Sequence, residues 1–522
     1  MDYAMSTVLE KIRLHARTHP DRVVYATVKQ TADGFENVHM TWGELEERSS
    51  RLAGYLASRL KGRAPLLVCG HKDPLMLVAF LACVRSGRAY VPVDASTPEG
   101  RIGDIAAAVA PELILNAEDM DGMPAGCAVL DSVEMRALCE TAPRCDDREQ
   151  VSGEDVHYII FTSGSTGLPK GVRITAACLD NFLAWSQNLT AGVPGKPNGD
   201  RIFINQAPFS FDLSVFDLYT ALYTGGSIRA IPKPLQGDMK ALFAYLRSTS
   251  ADIWISTPSF ADLLLADNAF GQSLLPDLKL FLFCGEALTG RTAEKLATAF
   301  PKARITNTYG PTESTVAVTS VVVTPEMAAA HTVLPLGMEK PGTRILIMDE
   351  RGATLPDGEK GEIVILGDTV SPGYWNNPAK NAEMFGTYDA DGTHERLYHT
   401  HDAGYRKDGL LFYCGRMDKQ VKLHGYRIEL EDIESNILII PGVERTVVIP
   451  ESENGEVKDL VAHIVEDAPV QSAIRERQRI RSELKKRIPE YMIPRKFVFE
   501  DSLPMTQNGK VDRKALENDS RC

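Results

Sequence analysis

The sequence predicts an α/β protein built on parallel sheets, and three observations lead there. Short apolar strands alternate with helical patterns along much of the chain, which implies βαβ crossovers. At 522 residues the chain is too long for one ordinary core, so two or more domains are expected. A strand-like run, Tyr158-Ile159-Ile160-Phe161, leads straight into a glycine- and hydroxyl-rich loop, and ligands gather beyond the carboxyl ends of such strands.

Composition narrows the function classes. A hydrophobic content of 44% with 24% charged residues is that of a soluble globular protein. A formal net charge of −13 argues against nucleic-acid binding and requires any polyanion site to carry its own cations. The nine cysteines form no C-x-x-C pair, as in a cytoplasmic protein with reduced thiols. The longest apolar run, Pro74 to Val84, is 11 residues and too short for membrane insertion. Glu10, Lys11 and Arg13 interrupt any signal-peptide pattern.

Taken in order, Thr41-Trp42-Gly43-Glu44 has the spacing of a capping box and opens a helix with Leu45, Leu52 and Leu56 on one face. Asp73-Pro74 opens a second helix, which Gly87 ends. Tyr90 to Asp94 reads as a strand end and Pro111 to Leu115 as the next strand. The loop Thr162 to Gly171 then holds four hydroxyls, three glycines and Lys170. Glycine lets backbone N–H groups turn toward a ligand, and the hydroxyls and lysine add donors and a positive charge, a composition that suits a polyphosphate. The order differs from the Walker loop, because Gly171 follows Lys170. A flexible Ser/Gly surface turn is the alternative, although such turns seldom end in Pro-Lys-Gly directly after a strand.

A helix over about 175–189 and a Gly/Pro-rich stretch over 192–199 follow. Asp212, between apolar residues, is either the N-cap of a helix over 213–223 or a buried anion awaiting a cationic ligand group. Trp254 to Pro258 and Leu280 to Glu286 read as two more buried strands, with Cys284 a small core residue when taken alone. Asn307-Thr308-Tyr309-Gly310-Pro311-Thr312-Glu313 is a turn carrying a flat ring, a hydroxyl and an acid able to hold Mg²⁺. Strands over 344–348 and 362–366 indicate a β-rich unit, and from about residue 419 a short α+β pattern begins. Lys510, on an Asn-Gly turn, taken alone is a solvated loop lysine.

In this order, from about residue 40 to residue 513, these segments resemble the adenylate-forming superfamily, which includes acyl-CoA synthetases, luciferases and the adenylation domains of peptide synthetases. The resemblance implies the adenylate-forming fold: a core over 1–417, of two βαβ-type subdomains and a β-rich one, and a small mobile α+β lid over 418–522, with Asp418 as the hinge. Within the superfamily the sequence is most similar to ligases that load D-alanine onto a carrier protein for teichoic-acid or other cell-envelope D-alanylation. That similarity rests on Phe209 to Val215, Ser256 to Phe260, Phe283 to Glu286, Asn307 to Glu313, Val316 to Thr319, Lys422 to Arg427 and Met492 to Phe497. It implies a cytoplasmic monomer whose phosphopantetheine-bearing carrier is a separate protein.

The implied chemistry is attack of a small amino acid's carboxylate on Mg·ATP, followed by transfer of the acyl group to the carrier thiol. By motif match, Thr162, Ser163, Thr166 and Lys170 hold the β/γ-phosphates. Tyr309 stacks on adenine, beside Gly285-Glu286-Ala287, Asn307 and Thr308. Thr312 touches the α-phosphate, Glu313 binds Mg²⁺, and Asp402 accepts the ribose hydroxyls with Arg416 nearby. Lys510 bridges the substrate carboxylate and the nucleotide. Asp212 pairs with the α-ammonium, which excludes fatty acids. Leu213, Phe216, Ser256, Leu282, Cys284, Thr308, Val316 and Ala317 form a pocket for a side chain about the size of a methyl. In the second step the lid turns about Asp418, withdrawing Lys510 and bringing the Gly425 loop to the site.

One departure stands out: His401 precedes Asp402 where the family has Gly. If that position needs φ > 0, histidine is tolerated and is a bystander; if it faces the nucleotide, it adds a pH-dependent contact. Three rivals remain: an acyl-CoA or aryl-acid ligase, which Asp212 opposes; an L-alanine-, glycine- or serine-activating enzyme of natural-product biosynthesis; and a non-catalytic nucleotide-binding regulator.

Overall fold

The computed structural model describes residues 7–32, 34–164, 167–191, 193, 196–390, 392–418, 420–453, 456–468, 470–504, 513, 515 and 516. Two of the expected site residues, Thr166 and Lys510, lie outside the described residues.

Two large sheets carry the site. In the first, Val129–Leu130, Ile114–Asn116, Leu66–Cys69, Tyr90–Val93 and Val156–Thr162 run parallel in that spatial order. Lys170–Thr175 closes it as an antiparallel edge. The capping box at Thr41 forms as expected, with Thr41 Oγ1 accepting from Glu44 N–H and Glu44 from Thr41 N–H. Asp73 caps Pro74–Arg85, a helix whose residues are all buried between layers. Leucine, alanine and valine all round that helix, rather than on one stripe, are what burial on every side requires. The strand expected over 111–115 begins later, at Ile114.

The second sheet has nine strands. Its centre, Ser227–Ala230, Ile202–Asn205, Ile253–Ser256, Leu280–Phe283 and Arg304–Tyr309, is parallel; hairpins make both edges antiparallel. Parallel pairing of strands buried on both faces explains their continuous apolar character. The β-rich unit is an antiparallel sheet of Thr343–Met348, Gly361–Gly367, Phe385–Ala390, Thr393–Lys407 and Leu410–Arg416.

The remaining unit has its own core, including Ile428, Ile433, Ile437, Leu460, Ile480 and Met492. It starts with the hairpin Gln420–Leu423/Tyr426–Glu429, followed by the helix Leu430–Leu438. The helix Ala473–Lys485 then packs with a sheet of Val443–Glu453, Glu456–Glu466 and Lys496–Phe499. No helix among the described residues is long and apolar enough to cross a membrane.

Candidate active site

The phosphate-type loop does not open a helix. It joins the antiparallel pair Val156–Thr162 and Lys170–Thr175, with Thr162 opposite Lys170. This register aims the loop off the carboxyl edge of the first sheet and buries Lys170, which is 7% exposed. Burial lowers the Lys170 pKa, and the neighbouring Arg427 adds to that; Glu313 and Glu429 pull the other way. The buried Thr162 Oγ1 has no hydrogen-bond partner among the described residues.

From the second sheet, Arg304–Tyr309 delivers the Tyr309-Gly310-Pro311-Thr312-Glu313 turn. Tyr309 donates its hydroxyl to Asp402 at 2.6 Å, and Arg416 holds the other Asp402 oxygen at 2.8 Å. Arg416 also grips Asp418 at 2.7 and 2.6 Å, so the expected hinge residue is tied to Asp402 through one guanidinium. Asn307 donates its amide to Pro335 C=O, but its buried Oδ1 has no partner among the described residues. Two unpaired buried oxygens, Thr162 Oγ1 and Asn307 Oδ1, fit a bound nucleotide that would satisfy them. Gly285 adopts φ 93° in the loop after Leu280–Phe283, and Glu286 there accepts from Ser259 N–H at 3.0 Å.

Glu313 is fully buried, with Tyr374 donating to one oxygen at 2.8 Å and Arg427 to the other at 2.7 Å. Burial works against its charge, but Arg427 and Lys170 outweigh it and hold the carboxyl down to about 2. A charged, buried carboxylate already accepting a cation is the chemistry a divalent ion requires. Glu429, from the same strand as Arg427, sits 3.2 Å from Lys170 Nζ. Ser163 Oγ donates to Arg427 C=O and accepts from Glu429 N–H, so the hairpin Gln420–Leu423/Tyr426–Glu429 lies against the start of the phosphate-type loop.

Asp212 is partly buried, and the helix Leu213–Thr224 starts beside it without a capping bond from its side chain. The carboxyl instead takes a hydrogen bond from Thr312. Burial pushes it up to about 6, and Thr312 and Arg427 only partly offset that. Of the two sequence readings, the capping bond does not form. Around it, Leu213, Phe216, Leu282, Val316 and Ala317 are buried in one core. Cys284 Sγ–H reaches Val316 C=O at 3.6 Å, and burial pushes that thiol up to about 11. Thr308 Oγ1 donates to Phe283 C=O, and the Ser256 hydroxyl is committed to the Trp254 indole and Thr257 C=O. Thr315 and Val316 take φ 61° and 71°, which β-branched residues rarely adopt. The turn they form aims Val316 C=O at Cys284.

His401 has φ 55°, as the Gly-replacement reading expects. Its Nδ1 lies 3.1 Å from Glu362, whose other oxygen takes His399 Nδ1 at 2.9 Å.

Sequence reasoning assigned no role to Tyr374, Arg427 or Glu429. Arg427 and Glu429 sit two apart on one strand, hence on one face, and a Gly425 hairpin turn before them was the available signal. Nothing local marks Tyr374, whose partner is 61 residues away.

Family comparison agrees with this geometry. Residues 12–375 match the AMP-binding enzyme family and residues 432–510 its C-terminal domain. A Bacillus licheniformis D-alanine–D-alanyl carrier protein ligase is 43% identical over 518 residues, covering 98% of this chain and 99% of that ligase. The Bacillus cereus ligase of the same name is 43% identical over 516 residues, covering 98% of both chains. Among solved structures, holo-PA1221, with adenylation and PCP domains and a vinylsulfonamide inhibitor, superposes with TM-score 0.81 at 26% identity over 98% of this chain and 84% of that one. The fused adenylation–PCP NpsA-ThdA from Klebsiella oxytoca gives 0.80 at 25% over 95% and 94%.

Proposed function

The chain belongs to the AMP-binding enzyme family, and on that footing we propose that it activates D-alanine with ATP and passes it to the phosphopantetheine thiol of a separate carrier protein. The observation that carries the D-alanine assignment is the full-length identity to ligases of that name. The site geometry supports the amino-acid part of it, because Asp212 lacks the full countercharge an α-ammonium would supply.

In the first half-reaction a substrate carboxylate oxygen attacks the α-phosphorus and the bond to pyrophosphate breaks. Two anions must meet, so the chain's work is neutralisation and alignment. Lys170, Ser163 and Thr162, with Thr166, hold the phosphate end. Tyr309 and the Gly285-Glu286-Ala287 backbone hold adenine, Asp402 with Arg416 the ribose, and Thr312 the α-phosphate. Glu313 would hold Mg²⁺, which when bound neutralises phosphate charge. Lys510 spans the reacting carboxylate and the nucleotide.

In the second half-reaction the carrier thiol attacks the acyl carbon, the bond to AMP breaks and AMP leaves. The lid hairpin seen here fits this step. A Cβ on Gly425 would lie 2.5 Å from Thr257 Cγ2, so only glycine lets the hairpin approach so closely. Arg427 then gives Glu313, and Glu429 gives Lys170, the opposite charges that magnesium pyrophosphate would otherwise provide. A single chain acting in the cytoplasm, with the lid turning at residue 418, completes the proposal.

The test is amino-acid-dependent pyrophosphate release with D-alanine, L-alanine, glycine, D-serine and a fatty acid. D-alanine should be the best substrate and the fatty acid inert. Equal rates with L-alanine would remove the D-alanine assignment and leave amino-acid activation standing.

A further inference from the structure

Arg101 lies in the helix Glu99–Val109 and is 6% exposed. Its Nη2 lies 3.4 Å from Oδ2 of Asp432 on the lid helix Leu430–Leu438, and Asp432 is fully buried. Asp432 also takes a hydrogen bond from Gly164 N–H in the phosphate-type loop and, at 3.0 Å, from the Asn436 amide. The lid surface around this pair is closely fitted. A Cβ on Gly100 would lie 2.8 Å from Lys486 C=O, and one on Gly167 2.9 Å from Ser435 Cβ. Tyr426 and Tyr491 stack at 3.8 Å, with Phe211 edge-on to both.

We propose that Arg101 is a positioning residue for thiol transfer, holding the lid in its seated position through Asp432; this rests on the function proposed above. A lid turning about Asp418 carries Asp432 away from Arg101, and both charges then return to water. A buried ion pair adds little net stability, because desolvation offsets the attraction, whereas removing one partner strands the other charge. The pair therefore selects this seat and rejects near misses. Asp104 and Arg487 face the pair from the Arg101 side, and Glu429 adds a like charge beside Asp432. Burial pushes the Asp432 carboxyl up while Arg101 pulls it back, so the carboxylate depends on its partner.

The experiment uses the full chain, ATP, D-alanine and free pantetheine as the acceptor thiol, with Arg101→Met, Asp432→Asn and the double variant. Each single variant should keep ATP–pyrophosphate exchange within about twofold and lose about tenfold or more in single-turnover transfer from preformed D-alanyl-AMP. The double variant, with no stranded charge, should recover to within about threefold of the parent. Unchanged transfer in Arg101→Met, equal loss in both half-reactions, or a double variant no better than the worse single would each overturn the inference. Absence of any amino-acid-dependent exchange in the parent would instead sink the proposed function, and this inference with it.

Discussion

Replacing Asp212 with Asn keeps the side chain's shape and removes its charge, which separates substrate recognition from stability. With burial holding the free carboxyl near 6, it is roughly nine-tenths ionised at pH 7. Losing a charge-assisted contact to the α-ammonium costs about 1.5–3 kcal/mol, or roughly 10- to 150-fold in kcat/KM for the amino acid. In the parent, kcat/KM should fall about tenfold per pH unit below 6 and level off above it; the variant should be lower and flat. Stability moves the other way. The folded pKa is above the unfolded value of 3.8, so the folded protein holds the extra proton between the two, and stability falls as pH rises through that window. The full shift corresponds to at most ~3 kcal/mol, and less for a partly exposed group. Asp212→Asn should therefore gain stability that grows between pH 4.5 and pH 7.5, read as a Tm increase of roughly 1–2 °C per kcal/mol. The assays are pyrophosphate exchange across pH 5–8 and thermal unfolding at both ends. An amino-acid KM within threefold of the parent, or the same stability gain at pH 4.5 and 7.5, would refute the reasoning.

Arg427→Met leaves Glu313 buried without its 2.7 Å partner when the lid is seated, at a cost of about 3–5 kcal/mol. Transfer to the thiol should fall by about 10² or more while adenylation persists, measured by chasing preformed aminoacyl-adenylate. Tyr374→Phe removes the 2.8 Å hydroxyl donor to Glu313 Oε1, freeing the carboxylate to rotate. The Mg²⁺ concentration for half-maximal exchange should rise about three- to tenfold, and calorimetric binding of the ion with ATP should weaken in parallel. His401→Gly should leave nucleotide affinity within about twofold and equally insensitive to pH from 5.5 to 8, because the imidazole is held by Glu362 and its φ suits either residue. A pH-dependent loss of affinity would assign the ring a role at the nucleotide.

Much of the site was legible because its residues sit on strand ends and turns whose composition is local. The Thr162 to Gly171 loop, the Tyr309 to Glu313 turn and the strand before Cys284 each declare themselves through glycine, proline and hydroxyl spacing. The structure sets the last two in the expected parallel sheet. The Asp212 question was posed by the sequence but not answered by it. Helix capping and ligand pairing place the same residue before the same helix; the structure shows that the capping bond is absent and that Thr312, 100 residues on, bonds the carboxyl instead.

The sequence by itself determined the alternation of strands and helices, the family and the inventory of charges, since periodicity and turn chemistry act within a few residues. Tertiary structure alone decided which charges meet. Arg101 finds Asp432 across 331 residues and Arg427 finds Glu313 across 114, because a buried charge is tolerated only where the fold brings its opposite, and no local pattern encodes that encounter.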